Sequence, residues 1–312
     1  MKIIRTILGD ISPEKLGLCL PHEHVYGWPP PQFISEDLTL DSVEAAIHEL
    51  ERFRAAGGSA VVEMTTPDYH RDTAAMRRIA EASGIHIIAA TGYNTEKFSA
   101  SFLREVTAEQ LAARFIEEVT TGMEGTPCRA GLIKASSTLN EISPLAENLF
   151  RAAAQAHHAT GAPISTHTEK GTMALEQVAL LTGEGVSPAH IIIGHIDLRL
   201  DWEFVLALAR TGVYFSFDQV SKEKYYPDSQ RIDFIMRLVT EGHGQQLLLS
   251  GDLARRSYWH SYGLSGAGFT YIPQVFAPRL REAGLSDRAV HELLNDNPAR
   301  ALAFTPRPTP TS

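Results

Sequence analysis

The stretch LCLPHEHV, residues 18–25, begins as an apolar strand and ends in two histidines separated by one residue. Side chains alternate faces along a strand, so His22 and His24 point the same way and Glu23 faces away from them. Paired neutral imidazoles are the commonest start of a transition-metal site, and strand-end histidines bonded to backbone are the alternative. Which reading holds depends on what the other strands of the chain carry at their ends.

Seven further apolar runs follow: SAVVEMT (59–65), IHIIAAT (85–91), AGLIKAS (130–136), APISTHT (162–168), HIIIGHI (190–196), GVYFSFDQV (212–220) and QLLLSGD (246–252). With LGLCLPHEHV (16–25) they make eight, each short and nearly continuous in its apolarity, as in strands buried on both faces of a parallel sheet. Helical patterns lie between them. TLDSVEAAIHELERFRAAGG (39–58) offers Thr39 or Asp41 as N-cap and Gly57 as stop, HRDTAAMRRIAEASG (70–84) ends on Gly84, and SPLAENLFRAAAQAHHATGA (143–162) has Pro144 in its first turn and Gly161 at its end. DWEFVLALARTG and DSQRIDFIMRLVTEGHG repeat the pattern. Eight strand–helix units predict a single closed (β/α)8 barrel over residues 1–304, in preference to an open doubly wound sheet. The tail TPRPTPTS (305–312) reads as frayed.

A hydrophobic content of 44% and a charged content of 21% suit a chain that buries a full core. The net charge of −9, with no basic run longer than two residues, argues against nucleic acid and anionic lipid as partners. Two cysteines, Cys19 in the first strand and Cys128 in a loop, do not form a disulfide framework. The N-terminus lacks an apolar stretch of signal or membrane length. Cytoplasmic location is the expectation.

A barrel gathers its active site at the C-terminal ends of its strands. Those ends carry His22 and His24, Lys134, His167, His195 and Asp252. Four imidazoles and a carboxylate exceed the three protein ligands of a mononuclear catalytic zinc, and suit two ions about 3.5–4 Å apart sharing a hydroxide. Lys134 fits such a site if its amine is neutral or has reacted with CO2 to give an anionic carbamate. Asp197, two residues after His195, is a candidate proton relay or support for the ligands, with a capping or loop role as its alternative.

LPHEHV, GLIKAS, STHTEKG, IIIGHID and LLLSGDLARRSYW resemble the ordered motifs of the phosphotriesterase family within the amidohydrolase superfamily, and the likeness runs from RTILGDISPEKLG to NDNPARALAF. The resemblance implies a binuclear metal centre with His22, His24 and Asp252 on the more buried ion and His167 and His195 on the exposed one. Carboxylated Lys134 and hydroxide would bridge them, and Asp252 would serve as catalytic base. Zinc is the expected metal, with Mn, Co or Fe also compatible with such ligands. A homodimer is expected from the family alone. Phosphotriesterases proper carry a histidine after the seventh strand, where this chain has Gln219, a departure that argues against efficient organophosphate hydrolysis.

The loops after strands 7 and 8 hold Lys222, Lys224, Tyr225, Tyr226, Arg255, Arg256, Tyr258 and Trp259. Cations and hydroxyl donors gathered at one end of an acidic protein predict a small anionic substrate. Lys224, Arg255 and Tyr258 also resemble the set that grips phosphate in a branch of the family opening phosphorylated sugar lactones. That branch usually reads SGDHSRRSY, against SGDLARRSY here. A lactonase for phosphorylated sugar lactones is therefore the expected function. Unphosphorylated lactones, carboxyl esters or organophosphates are the alternative substrates, and a metal-binding barrel without turnover is a remote one.

Overall fold

The computed structural model describes residues 1–307. A short antiparallel hairpin, β1 (Ile4–Thr6) and β2 (Gly9–Ile11), precedes the barrel. Eight parallel strands then follow in order: β3 (Leu18–Glu23), β4 (Gly58–Glu63), β5 (His86–Gly92), β6 (Leu132–Ser136), β7 (Ile164–His167), β8 (Ile191–Ile193), β9 (Tyr214–Phe217) and β10 (Leu247–Leu249). Each pairs with the next, and the first and last meet at a seam. There the Ser250 hydroxyl accepts from the His22 amide (3.0 Å) and lies 2.9 Å from the His22 carbonyl, while the Asp252 amide donates to that carbonyl (3.1 Å). This is the expected (β/α)8 barrel, and its seam runs through the predicted site.

The continuous apolar runs hide a two-residue alternation. Cys19, Ala60, Val62, Ile88, Ala90, Leu132, Ile192 and Leu248 fill the barrel interior as one cluster. Leu20, Val61, Ile87, Ala89, Ile133, Ile191, Ile193, Leu247 and Leu249 belong to the larger core under the helices. By that parity Lys134 follows Leu132 inward. Strand β3 departs from it: Leu20 pairs with Val61 but Glu23 pairs with Glu63, so β3 carries one extra residue around Pro21 and His22. The bulge reverses the facing of every side chain beyond it, turning His22 and His24 inward and Glu23 outward.

Helices α1 (Val43–Ala55), α2 (Thr73–Ser83), α3 (Glu96–Leu103), α4 (Ala108–Thr120), α5 (Pro144–Thr160), α6 (Ala174–Gly183), α7 (Trp202–Ala209) and α8 (Asp228–Thr240) surround the strands. Gly84 (φ 70°) and Gly161 (φ 83°) close α2 and α5 as expected. The N-cap of α1 is Ser42, whose hydroxyl accepts from the Ala45 amide (3.1 Å), and neither Thr39 nor Asp41. Two helices, α3 and α4, fill the third unit where one was expected; Thr107 and Gln110 form a reciprocal capping box that starts the second. Of the tail expected to fray, residues 308–312 lie outside the described residues, while the Arg307 amide donates to the Thr160 carbonyl (3.2 Å). Among the described residues no helix is long and apolar enough to cross a membrane.

Candidate active site

The strands end earlier than their apolar runs, so several site residues stand on the first residues of loops. His24, His195 and Asp252 lie beyond β3, β8 and β10, and His195 (φ 60°) and Asp252 (φ 46°) occupy the left-handed region. Non-glycine residues held there cluster at functional sites. His22, Lys134 and His167 remain within their strands.

Five of the six expected ligands meet directly around one inward-facing space. The His22 ring lies 4.6 Å from that of His195 and 6.3 Å from that of His24, centroid to centroid, and His167 lies 4.5 Å from His195. His24 Nε2 is 3.5 Å from Asp252 Oδ1. Ligand atoms of His22, His24 and Asp252 lie within 4.8 Å of one another, a spacing a single cation can span. Lys134, only 1% exposed, reaches across to the Met64 carbonyl (2.9 Å) from the floor of the same space. Gly92 beside it has φ 102°, and a Cβ there would collide with the Lys134 carbonyl, so the strand pair β5–β6 can close up only around glycine.

Burial sets the protonation of these groups. It pulls His22 and His24 down to about 3 and His167 well below its usual value, leaving neutral rings with lone pairs to offer. Burial also pulls Lys134 down to about 8. His195 goes the other way. Burial would depress it, but the Asp218 carboxylate beside it outweighs that and raises it.

Asp218 was not singled out in the sequence. Its Oδ1 lies 2.7 Å from His195 Nδ1 and its Oδ2 accepts from the His195 amide (3.0 Å), so both oxygens are committed. Although Asp218 also falls within ligand distance of His22 and His195, this geometry makes it the acceptor that fixes the His195 tautomer and points Nε2 into the site. Its signal was present: in YFSFD, Phe215 and Phe217 pack outward, so Ser216 and Asp218 face in. Thr65 Oγ1 lies 2.8 Å from His24 Nδ1 and orients that ring. Asp197 stands one hydrogen bond behind Asp218, which combines the supporting role with the loop role. It accepts from the amides of Asp218 (3.1 Å) and Gln219 (3.0 Å) and from Arg231 Nε (2.7 Å), holding the start of the seventh loop and with it the residue that orients His195.

The loop cations divide. Lys222 is buried against Asp252 and Gln219, with Nζ donating to Gln219 Oε1 (2.8 Å), and so belongs to the strand-end cluster. Lys224 Nζ donates to the Tyr258 hydroxyl (2.9 Å), so these two side chains meet. Arg255 is drawn aside into an ion pair with Asp37 (3.0 Å), and Arg256 is held by Asp41 and Glu36. A cavity of about 500 Å³ opens beside His167, and its wall includes Lys97, Lys170 and Lys224 with Tyr225 and Tyr226. Lys97 and Lys170 were not anticipated; Lys97 stands in the first turn of α3 and Lys170 in the turn that follows β7. Tyr93 is buried below, its hydroxyl accepting from Arg114 (2.6 Å).

An inward ring of imidazoles around a carboxylate and a buried lysine, at the C-terminal mouth of a (β/α)8 barrel, defines a hydrolase-type site. The chain belongs to the phosphotriesterase family, whose model matches residues 2–302. It is 34% identical to a phospho-furanose lactonase of Mycoplasmopsis synoviae over 97% of this chain and 92% of that one. The crystal structure of a lactonase from Listeria monocytogenes superposes with a TM-score of 0.94 at 37% identity, covering 97% of this chain and 99% of the other. The phosphotriesterase homology protein of Escherichia coli, solved with phosphate in its active site, gives 0.89 at 34% identity over 92% and 99% of the two chains.

Proposed function

We propose that this protein is a metal-dependent hydrolase that opens lactones of phosphorylated sugars. The observation that carries the reading is the convergence of the six inward residues beside a cavity walled by lysines. The similarity to a phospho-furanose lactonase and to a relative holding phosphate supports the same substrate class.

The donor set fits two divalent cations. His22, His24, His167 and His195 present neutral or orientable rings, Asp252 presents a carboxylate, and Lys134 supplies a second anionic group once its amine adds CO2 and loses a proton. His22, His24 and Asp252 would hold one ion, His167 and His195 the other, and the Lys134 carbamate would join them. Such ions acidify a water and polarise the scissile carbonyl.

The protein's own groups do the rest. Asp252, held well below the usual carboxylate range although burial opposes this, stays ionised because the Lys222 ammonium, and after it His195, favour its charge. It accepts the proton of the attacking water and passes it to the leaving alkoxide. Gln219 Nε2 (3.0 Å) and Lys222 Nζ (3.1 Å) both hold Asp252 Oδ2, which leaves Oδ1 turned toward His24. Lys224 and the Tyr258 hydroxyl grip the distal phosphate, joined by Arg255 when it exchanges Asp37 for substrate.

The Arg255–Asp37 pair favours a second reading, in which unphosphorylated lactones or esters are the substrates and the loop cations serve one another. A pH-indicator hydrolysis screen separates the two. Protein loaded with Mn²⁺ or Zn²⁺ and bicarbonate is offered each sugar lactone with and without phosphate, plus an aryl ester and a chromogenic phosphotriester. The phosphorylated members should be strongly preferred; equal or faster turnover of the plain compounds would give the second reading the field.

A further inference from the structure

We propose that Glu23, the residue between the two histidines of LPHEHV, is a positioning residue that brackets Asp252 and holds it in its left-handed turn facing the ligands. The inference rests on the reading of Asp252 as ligand and base given above.

Three consecutive amides after β10 are taken by residues 22 and 23. Glu23 Oε1 accepts from the Gly251 amide (2.7 Å), Glu23 Oε2 accepts from the Leu253 amide (2.8 Å), and the Asp252 amide between them donates to the His22 carbonyl (3.1 Å). The Ser250 hydroxyl adds a contact to Glu23 Oε1 (2.8 Å). A single carboxylate thus grips the residues on both sides of Asp252 with one oxygen each. Asp252 has φ 46°, in the left-handed region that non-glycine residues occupy uncommonly and aspartate more readily than most, and the three amide hydrogen bonds around it hold it there.

Glu23 is fully buried and forms no ion pair among the described residues, so its polar partners are these backbone amides and the Ser250 hydroxyl. A buried carboxylate left this way is costly unless hydrogen bonds to it do a job that an apolar side chain could not. The sequence on the other side is fitted to it: a Cβ on Gly251 would lie 3.3 Å from Glu23 Oε1 and 3.0 Å from Leu253 Cγ. The bulge in β3 explains why the motif needs its middle residue. It turns His22 and His24 into the barrel and sends Glu23 outward to the seam, where the chain leaving β10 passes. One strand end therefore supplies two ligands on one face and, from the other, the support for a third ligand 229 residues away in sequence, the separation between Glu23 and Asp252.

The test uses Co²⁺-loaded holoprotein and three variants, Glu23→Gln, Gly251→Ala and Asp252→Asn. Each is measured for kcat and KM on a phosphorylated lactone, the visible absorption of bound Co²⁺, ion loss to a chelator, and thermal midpoint. Glu23→Gln keeps the volume but opposes one amide with an NH2. It should lower kcat about 10- to 100-fold with KM nearly unchanged, speed ion loss by a similar factor and alter the Co²⁺ spectrum. Wild-type kcat, spectrum and ion retention, with only the thermal midpoint lowered, would show a purely structural carboxylate and overturn the proposal. Should Glu23→Gln fail to fold, Gly251→Ala decides, since it pushes on the same bracket from the opposite side and should give the same spectral and kcat changes; a wild-type result there overturns the proposal equally. Asp252→Asn separates the two levels. Full activity in that variant would remove the role of Asp252 itself, whereas loss there with an unaffected Glu23→Gln would remove the bracket alone.

Discussion

Lys222 places its ammonium 3.1 Å from Asp252 Oδ2 and donates to the Asp252 backbone carbonyl at 2.7 Å. The carboxylate that faces the imidazoles is therefore held from behind by a buried cation, with Gln219 beside it. Lys222→Met should leave the fold intact and lower kcat about 10- to 100-fold, because the freed carboxylate loses both its orientation and the charge that keeps it ionised. Lys222→Arg should recover part of the loss. Steady-state kinetics on a phosphorylated lactone measures both, and an unchanged kcat in Lys222→Met would remove the lysine from the account.

The two lysines of VSKEKYY should behave differently. Lys224→Ala should raise KM for a phosphorylated lactone about 10- to 100-fold, the equivalent of one charge-assisted hydrogen bond of about 1.5–3 kcal/mol, with little effect on the unphosphorylated counterpart. Arg255→Ala should cost less, since Asp37 already shares its guanidinium. Equal effects of Lys224→Ala on both members of the pair would show that the lysine does not meet the phosphate.

His195 depends on Asp218 for its orientation. Asp218→Asn replaces an acceptor by a group that can donate to Nδ1, which favours the wrong tautomer. Metal affinity measured by chelator competition should fall about 10- to 100-fold. Retained affinity would mean that His195 binds no ion.

Lys134 gives a pH dependence. CO2 adds only to the neutral amine, and burial brings that lysine to about 8 from the ordinary 10.5. Below about pH 8 the neutral fraction falls about tenfold per unit; above it the fraction saturates. At fixed dissolved CO2, the rate of reactivating metal-free protein should rise tenfold per pH unit up to about 8 and then level. Reactivation independent of pH and of CO2 would exclude the carbamate.

The barrel was legible because a parallel sheet buried on both faces writes long apolar runs, and glycines close its helices. The convergence of the four histidines, Lys134 and Asp252 was legible for the same reason, since a barrel brings strand ends together whatever lies between. What escaped notice depends on parity or on distant pairing. Asp218 sits inside an aromatic run where only the alternation of Phe215 and Phe217 marks its facing. Glu23 reads as facing away from the histidines, which is right, but nothing near it in sequence tells what it faces. Lys222 and Lys224 are two residues apart in one loop, yet one is buried on Asp252 and the other stands at the cavity wall. Arg255 looked free because its partner Asp37 lies 218 residues earlier.

The most direct measurement titrates metal-free protein with Mn²⁺ or Zn²⁺ in bicarbonate, following turnover of a phosphorylated lactone against ions bound per chain. Turnover should appear only as ions bind, level off at about two per chain, and be lost in His167→Ala and Lys134→Ala. Full turnover in metal-free protein, or an unchanged curve in those variants, would contradict a two-metal hydrolase built on these six residues.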